Sequence, residues 1–596
     1  MRKLLSILFV SLFAISTFAD NYGILVNGKT YFAGEPAGEY EGFNQYLAHV
    51  SVKAGDYCQL YDADFKSRWA VDLNSYSVSG FKREGNKYVV SVTGCYDFYL
   101  KLKYEQDELY IGNGSNCGAG EDVDKIYTGA VPRQCEAVLM QAFYNESYDP
   151  KSPGVSEYGD TKWTTLTAQA SELGQYFDYL WLPPSAYGDG AGYHPKQYSN
   201  QNSNWGTRAE LEALISALHN AGAKVVADIV INHCAGWTSW CDFPEMDFGE
   251  YGVFHPDETY ICKDDEVNKN PDAGTCYGKA TGSYDDGENW DGARDWSHDN
   301  VYVQKMFIAY LQWMRNVMKY DGFRYDKGDG FNNWHHYNYN KHARPEIAFM
   351  ECYKGTDDIQ WRINGANGDL MALDFDLKWH VFNSIAGWDY SRGRGDCIMS
   401  RGDGKHSVTF IESHDWFLRP DNENEFGGRG NSMKPALKAR LMQANALLLS
   451  MPGIPCVFYP HWKKYKADLK PMITARKWAG IHSESEVKDE YATATGYQAT
   501  IVGHNGWLIL CLGDKANKQG FGPDYKLAAS NYSTMDGHNE SFEMWVNSSK
   551  PMPMDVEEIS SQEPRVRGEK FIQNGQLFIR LNGKVYDVTG KLKIEN

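Results

Sequence analysis

A carboxylate at the end of a short apolar run, with an arginine two residues before it, can be kept ionised inside a protein. Gly322-Phe323-Arg324-Tyr325-Asp326 has that form. Side chains alternate along a strand, so Arg324 and Asp326 share one face. A neighbouring guanidinium favours the charged carboxylate, the state a nucleophile needs. The bland reading is a buried ion pair that only supports the fold. Other apolar runs end in the same way: Asp228 with Asn232 and His233 beyond it, Glu351, and His414-Asp415. Each alone also reads as a helix cap or a solvated loop residue. Carboxylates gathered at one mouth repel one another, and such a cost is usually tolerated for function.

The elements that position these residues follow a strand–helix rhythm from Cys135 onward. Apolar runs at 137–143, 177–182, 224–231, 322–326, 347–351, 370–375, 408–411 and 454–459 read as eight strands. Arg208 to Ala221 shows helical spacing of Leu211, Leu214, Ile215 and Leu218, and 301–318 and 434–449 read as further helices. Eight such units predict an α/β fold, a (β/α)8 TIM barrel over 135–481 with its site at the strands' C-terminal ends. An irregular insert, 234–298, rich in Asp, Gly and Cys, follows the third strand.

The flanks read differently. Residues 20–125 carry short strands and turn signals, including Asn27-Gly28 between Ile24-Leu25-Val26 and Lys29-Thr30-Tyr31-Phe32, and predict an N-terminal β-sandwich. Tyr57 and Trp69 are either glycan-binding aromatics or core. Residues 482–547 predict a C-terminal antiparallel β domain. A linker and tail, 548–596, follow, with hairpin signals at Asn574-Gly575 and Asn582-Gly583. Residues 1–19 have the parts of a secretory signal: Arg2 and Lys3, an apolar run, then Thr17-Phe18-Ala19. The expectation is therefore an exported, secreted protein with no transmembrane segment.

Composition narrows the ligand. Aromatic content is 14%, with 18 Trp and 40 Tyr, which suits either a large core or rings that stack on sugars or bases. The net charge of −19 disfavours nucleic acid, whose phosphates need a basic surface, and leaves a neutral ligand. Twelve cysteines in an exported chain predict some disulfides, with Cys58, Cys95, Cys117 and Cys135 near one end and Cys234, Cys241, Cys262 and Cys276 in the insert. Cys352, Cys456 and Cys511 read as buried thiols, and zinc is disfavoured because no Cys-x-x-Cys occurs.

Ala227-Asp228-Ile229-Val230-Ile231-Asn232-His233, the run from Gly322 to Asp326, Phe349-Met350-Glu351 and Phe410-Ile411-Glu412-Ser413-His414-Asp415 resemble the four signature regions of glycoside hydrolase family 13, in order. Val138 to Phe143, Trp181-Leu182-Pro183-Pro184 and Gly192-Tyr193 resemble the family's α-amylases, the plant type above all. The resemblance implies a retaining, endo-acting hydrolase of α-1,4-glucosidic bonds in starch and related α-glucans. Asp326 would be the nucleophile, Glu351 the acid/base and Asp415 the transition-state stabiliser. Retention needs the first two carboxyls about 5–5.5 Å apart.

Tyr193, Asp228, His233, Arg324 and His414 would bind sugar, with Lys327 and Trp416 at the same mouth. The insert matches the family's domain B, and Asn232, Asp285 and Asp295 would bind Ca2+, as oxygen ligands suit a hard cation. A solvated acidic loop is the alternative there. Departures from the pattern are Lys327, Glu412-Ser413, Trp416 and Tyr353, all bearing on the leaving-group side. The rivals are a family 13 glucan transferase or another α-glucosidic specificity, and a starch-binding protein with a dead barrel. The chain is expected to act as a monomer.

Overall fold

Eight short parallel strands close into a barrel in the computed structural model: β1 Leu139–Gln141, β2 Tyr179–Trp181, β3 Lys224–Ile229, β4 Gly322–Tyr325, β5 Ile347–Met350, β6 Met371–Leu373, β7 Ser407–Thr409 and β8 Ile454–Phe458. The structure describes residues 22–594 except 28, 33–35, 41–42, 63–72, 74–76, 102–107, 115–120, 123–127, 153, 238–241, 265–279, 289–292, 382–384, 386, 388, 416–439, 536, 554–568, 574–575, 582–583 and 588–591. The leader reading, Trp69, Cys117, Cys241, Cys276 and Trp416 lie outside the described residues, as do the hairpin-turn residues of the tail.

The barrel strands are mostly apolar, with Gln141, Lys224, Asp228, Arg324, Ser407 and Thr409 the polar exceptions, because helices cover their outer face and side chains fill the inside. β4 and β5 show why Gly322 opens its strand: a Cβ there would stand 2.4 Å from Ile347 Cγ2. Each ladder is shorter than its apolar run in the sequence. Asp326 follows the last paired residue of β4 and Glu351 that of β5, so both leave the sheet as the chain turns into the mouth. Helix Arg208–Asn220 begins with a capping box, Thr207 accepting from the Glu210 amide while the Glu210 carboxylate accepts from that of Thr207. Helix Leu441–Ser450 is buried along its whole length, which suits its largely apolar sequence; its polar Gln443, Asn445 and Ser450 are each hydrogen-bonded.

The chain forms two compact units, Met1–Thr128 and Gly129–Asn596. In the first, a six-stranded and a four-stranded antiparallel sheet enclose one core that includes Ile24, Val50, Leu60, Tyr88, Phe98 and Ile111. Val26 pairs with Lys29, giving the tight hairpin expected at Asn27. Tyr57 is 41% exposed, with the Lys87 ammonium 4.7 Å above its ring. In the second unit the barrel is followed by a five-stranded antiparallel sheet running from Glu486–Ala492 to Phe542–Ser548 in sequence. A four-stranded antiparallel meander, Glu569 to Ile594, follows.

The thiols depart from expectation. Cys95 is disulfide-bonded, but Cys58, Cys135 and Cys262 are free, as are Cys397 and the expected Cys352, Cys456 and Cys511. Cys58 and Cys262 are packed as small apolar groups, and burial pushes the Cys58 thiol up to about 12.

Candidate active site

One guanidinium organises the barrel mouth. Arg324 is 1% exposed, and its Nη1 donates to Asp228 Oδ1 at 2.7 Å and to Asp326 Oδ1 at 2.8 Å. Its Nη2 lies 2.8 Å from Glu351 Oε2. The alternation read from sequence does put Arg324 beside Asp326, but the arginine is shared three ways. Its Cζ also lies 5.0 Å from the Trp181 ring centroid and 5.9 Å from that of Tyr193. The planar fork is thus fixed by ions at its edge and aromatic faces at its sides.

Asp228 is fully engaged. Its Oδ2 accepts from Trp181 Nε1 at 3.0 Å and from Tyr193 Oη at 2.8 Å, so its role is to hold Arg324 and Tyr193 in place. Tyr193 stacks on His414, centroids 5.1 Å apart and 12° from parallel. Gln141 Nε2 donates to His414 Nδ1 at 2.7 Å, leaving the other ring nitrogen, Nε2, to carry the proton, 3.6 Å from Asp415 Oδ1. Sequence reading gave Gln141 no role. Its signal was a glutamine inside the apolar run Val138 to Phe143, where it is 1% exposed. His233 is buried, its Nε2 donating to the Tyr193 carbonyl at 2.8 Å. It therefore supports the platform from beneath, and burial pushes it down to about 3, keeping it neutral.

Charge separates the acids. Asp228, Asp326, Glu351 and Asp415 crowd one positive group, and fully ionised the cluster would carry three net negative charges. Burial pushes Glu351 up to about 8; Arg324 opposes this, while Asp415 and Asp326 add to it. Burial also raises Asp326, opposed by Arg324, but less far, to about 6. The proton that the cluster retains at neutral pH therefore sits on Glu351, and Asp326 stays an anion.

The departures from the family pattern have local explanations. Lys327 adopts φ 44°, which turns its amide toward Glu351 Oε2 at 3.2 Å. Its ammonium lies 3.1 Å from Asp329 Oδ1 and 3.7 Å from Glu288 Oε2, while Lys354 donates to Glu288 Oε1 at 2.8 Å. These ion pairs join the insert to the loops after β4 and β5. Glu412 lies 3.9 Å from the buried Lys378 ammonium, so its charge has a local counter-ion. Tyr353 is edge-on to Phe375, centroids 5.2 Å apart.

The three residues read as metal ligands also converge. Asn232 Nδ2 donates to Asp295 Oδ1 at 3.1 Å. Gly330 packs so tightly that a Cβ there would fall 1.8 Å from Asn232 Oδ1, and one on Gly287 would fall 2.2 Å from the Gly330 carbonyl carbon. Gly287 in turn donates to Asp285 Oδ1 at 2.9 Å. Asn232 Oδ1 and Asp285 Oδ2 are buried and accept no hydrogen bond. A buried oxygen without a donor costs about 1–3 kcal/mol, and an all-oxygen set of this kind fits a hard cation. Beside it, ligand atoms of Asp286, Asp299 and His335 lie within 4.8 Å of one another, a cluster the sequence did not reveal. Asp286 there accepts from His335 Nε2 at 2.9 Å and from the Asn332 amide at 3.1 Å, tying the insert to the start of helix Asn333–Ala343.

Parts of this chain are similar to known proteins. The family profile described as the α-amylase catalytic domain matches residues 171–354. A probable α-amylase of Arabidopsis thaliana is 27% identical over 434 residues, covering 69% of this chain and 95% of its own. A glucan 1,4-α-maltotetraohydrolase of Stutzerimonas stutzeri is 26% identical over 370 residues, 57% of this chain and 60% of that one. The chain thus spans less than two thirds of the Stutzerimonas protein. Among solved structures, an Anoxybacillus α-amylase aligns with a TM-score of 0.50 at 15% identity, over 70% of this chain and 99% of its own, a likeness of fold.

Proposed function

We propose that this chain, whose barrel is a catalytic domain of the α-amylase family, hydrolyses internal α-1,4-glucosidic bonds of starch, glycogen and maltooligosaccharides with retention of configuration. The observation that carries the reading is Arg324, bonded at once to an ionised Asp326 and to a Glu351 pushed up to about 8. Glu351 Oε2 accepts from Arg324 and Lys327, so the acid proton belongs on Oε1. That proton passes to the glycosidic oxygen while the Asp326 oxygen not held by Arg324 attacks the anomeric carbon. Glu351, now an anion, takes a proton from the water that cleaves the glycosyl ester. Tyr193 lies under the reacting sugar, and the protonated Nε2 of His414 and the carboxylate of Asp415 bond its hydroxyls.

Asn232, Asp285 and Asp295 would hold Ca2+. An ion held there would be structural, fixing the insert against the end of β3 rather than acting in bond cleavage. Export to the cell exterior belongs to the same proposal and rests on residues 1–19. Incubation with starch tests the main reading: new reducing ends with α-anomers released first are expected. Chain-transfer products without new reducing ends would identify a transferase, and no turnover at all would identify a dead barrel.

A further inference from the structure

We infer that Glu288 of the insert is a positioning residue that sets the separation of Asp326 and Glu351 by tying together the two loops that carry them. This rests on reading those carboxyls as nucleophile and acid/base. Retention needs them about 5–5.5 Å apart. Yet each stands just beyond the last paired residue of its strand, where the ladder no longer fixes it. Arg324 grips one oxygen of each; their backbones need contacts beyond the sheet.

Glu288 spans both loops with one carboxylate. Its Oε2 lies 3.7 Å from the ammonium of Lys327, the residue next to Asp326. Its Oε1 accepts from the ammonium of Lys354, three residues past Glu351, at 2.8 Å. A hydrogen bond with Asp329, another from Lys354 and the charge of Lys327 hold the Glu288 carboxyl down to about 2 against the pull of burial. Both ion pairs therefore stand at neutral pH.

The strut has a fixed foot. The Glu288 amide donates to the Asp329 carbonyl at 2.9 Å, and Asp286, two residues earlier, accepts from the Asn332 amide at 3.1 Å. Residues 286–288 are thus held along 329–332, and the Glu288 side chain reaches across to the loop after β5. Lys327 needs that support. Its φ of 44° lies in the left-handed region, which is costly for a residue with a Cβ. The turn it opens is closed by the Gly330 amide on the Lys327 carbonyl at 2.9 Å. That turn aims the Lys327 amide at Glu351 Oε2, 3.2 Å away, and the Gly328 amide at the Glu351 carbonyl, 2.8 Å away. The Lys327 ammonium, held between Glu288 and Asp329, keeps the turn from relaxing.

The test compares kcat and KM on maltoheptaose for the full chain and for Glu288→Ala, Lys354→Met and the double variant. A misplacement of about 1 Å costs up to roughly a hundredfold, so each single variant should lose roughly ten- to a hundredfold in kcat, with KM nearly unchanged. The double variant should be no slower than the slower single one, because both act through one link. Tm should stay near wild type, since the Glu288 and Lys354 side chains are 39% and 37% exposed and such ion pairs add little stability. Glu288→Gln, which keeps an oxygen for Lys354, should recover part of the rate. An unchanged kcat, a loss confined to KM, or losses that multiply in the double variant would overturn the strut. If the wild type does not cleave maltoheptaose, the hydrolase reading fails on its own. Crystal structures of wild type and Glu288→Ala then decide the strut, which requires the Asp326–Glu351 separation to change by about 0.5 Å or more; an unchanged separation would overturn it.

Discussion

The barrel mouth and the base of the insert both gather oxygen-bearing side chains, and they satisfy them in opposite ways. At the mouth, the protein supplies the cation: Arg324 bonds Asp228, Asp326 and Glu351 through its own nitrogens. At the insert, Asn232 Oδ1 and Asp285 Oδ2 are buried with no donor from the chain. A covalently attached cation keeps catalytic carboxylates close together yet leaves one of them free to gain and lose a proton. A diffusible divalent ion at the mouth would hold them all ionised. The base of the insert has no proton to move, so an ion from solution can complete it.

The largest effect should come from breaking the mouth's chemistry while leaving its structure intact. Asp326→Asn keeps shape and most hydrogen bonding but removes the proposed nucleophile, and turnover of starch should fall on the order of 10⁴-fold with starch binding retained. Circular dichroism and a binding assay run beside the activity assay separate this from misfolding; activity within tenfold of wild type would refute the assignment. Arg324→Leu should turn the mouth into a site like the insert's, short of a cation. Removing one partner of a buried ionic group costs about 3–5 kcal/mol, visible as a lower urea midpoint. The deficit should shrink at pH 5, where the abandoned carboxyls protonate, and a deficit independent of pH would contradict the charge argument. At the insert, a chelator should lower Tm by several degrees, since a ligand at 100 times its Kd contributes about 2.7 kcal/mol. An unchanged transition would mean that nothing metallic completes Asn232 and Asp285.

The same contrast shows what the sequence could tell. Period-two alternation placed Arg324 beside Asp326, and apolar runs ending in polar residues located the strand ends that carry Asp228, Asp326 and Glu351, because local periodicity dictates both. The three-way sharing of Arg324 was not legible, since its partners sit on β3 and β5 and meet it only when the barrel closes. Gln141 was hidden for a similar reason: it is polar for the sake of a histidine 273 residues away. His233 looked free for sugar because it follows an apolar run, but the next short ladder, His233–Cys234 with Arg294–Asp295, folds it inward. The free thiols of Cys58 and Cys262 show a further limit, because an even cysteine count says nothing about which sulfurs come within reach.

The smallest prediction sharpens the comparison most, because it reads the proton itself. Glu351 titrates near 4.5 in the unfolded chain, while burial, Asp415 and Asp326 push it up to about 8 in the fold. Between those values the native state holds a proton that the unfolded state has released, so stability falls as pH rises. Below about 4.5 both states are protonated and the effect vanishes; above about 8 both are ionised and the full penalty stays. Buried His233, pushed down to about 3, acts on the other side: from about 6.5 downward the unfolded state binds a proton that the native state refuses, and stability falls with acid. Glu351→Gln removes only the first term. Its Tm relative to wild type should climb by about one to two degrees per pH unit from pH 5 to 8, with the acid-side decline unchanged. A variant whose Tm tracks wild type across that range would mean that Glu351 keeps an ordinary carboxyl affinity for protons, and Arg324 would then be neutralising the mouth as completely as a bound ion would neutralise the insert.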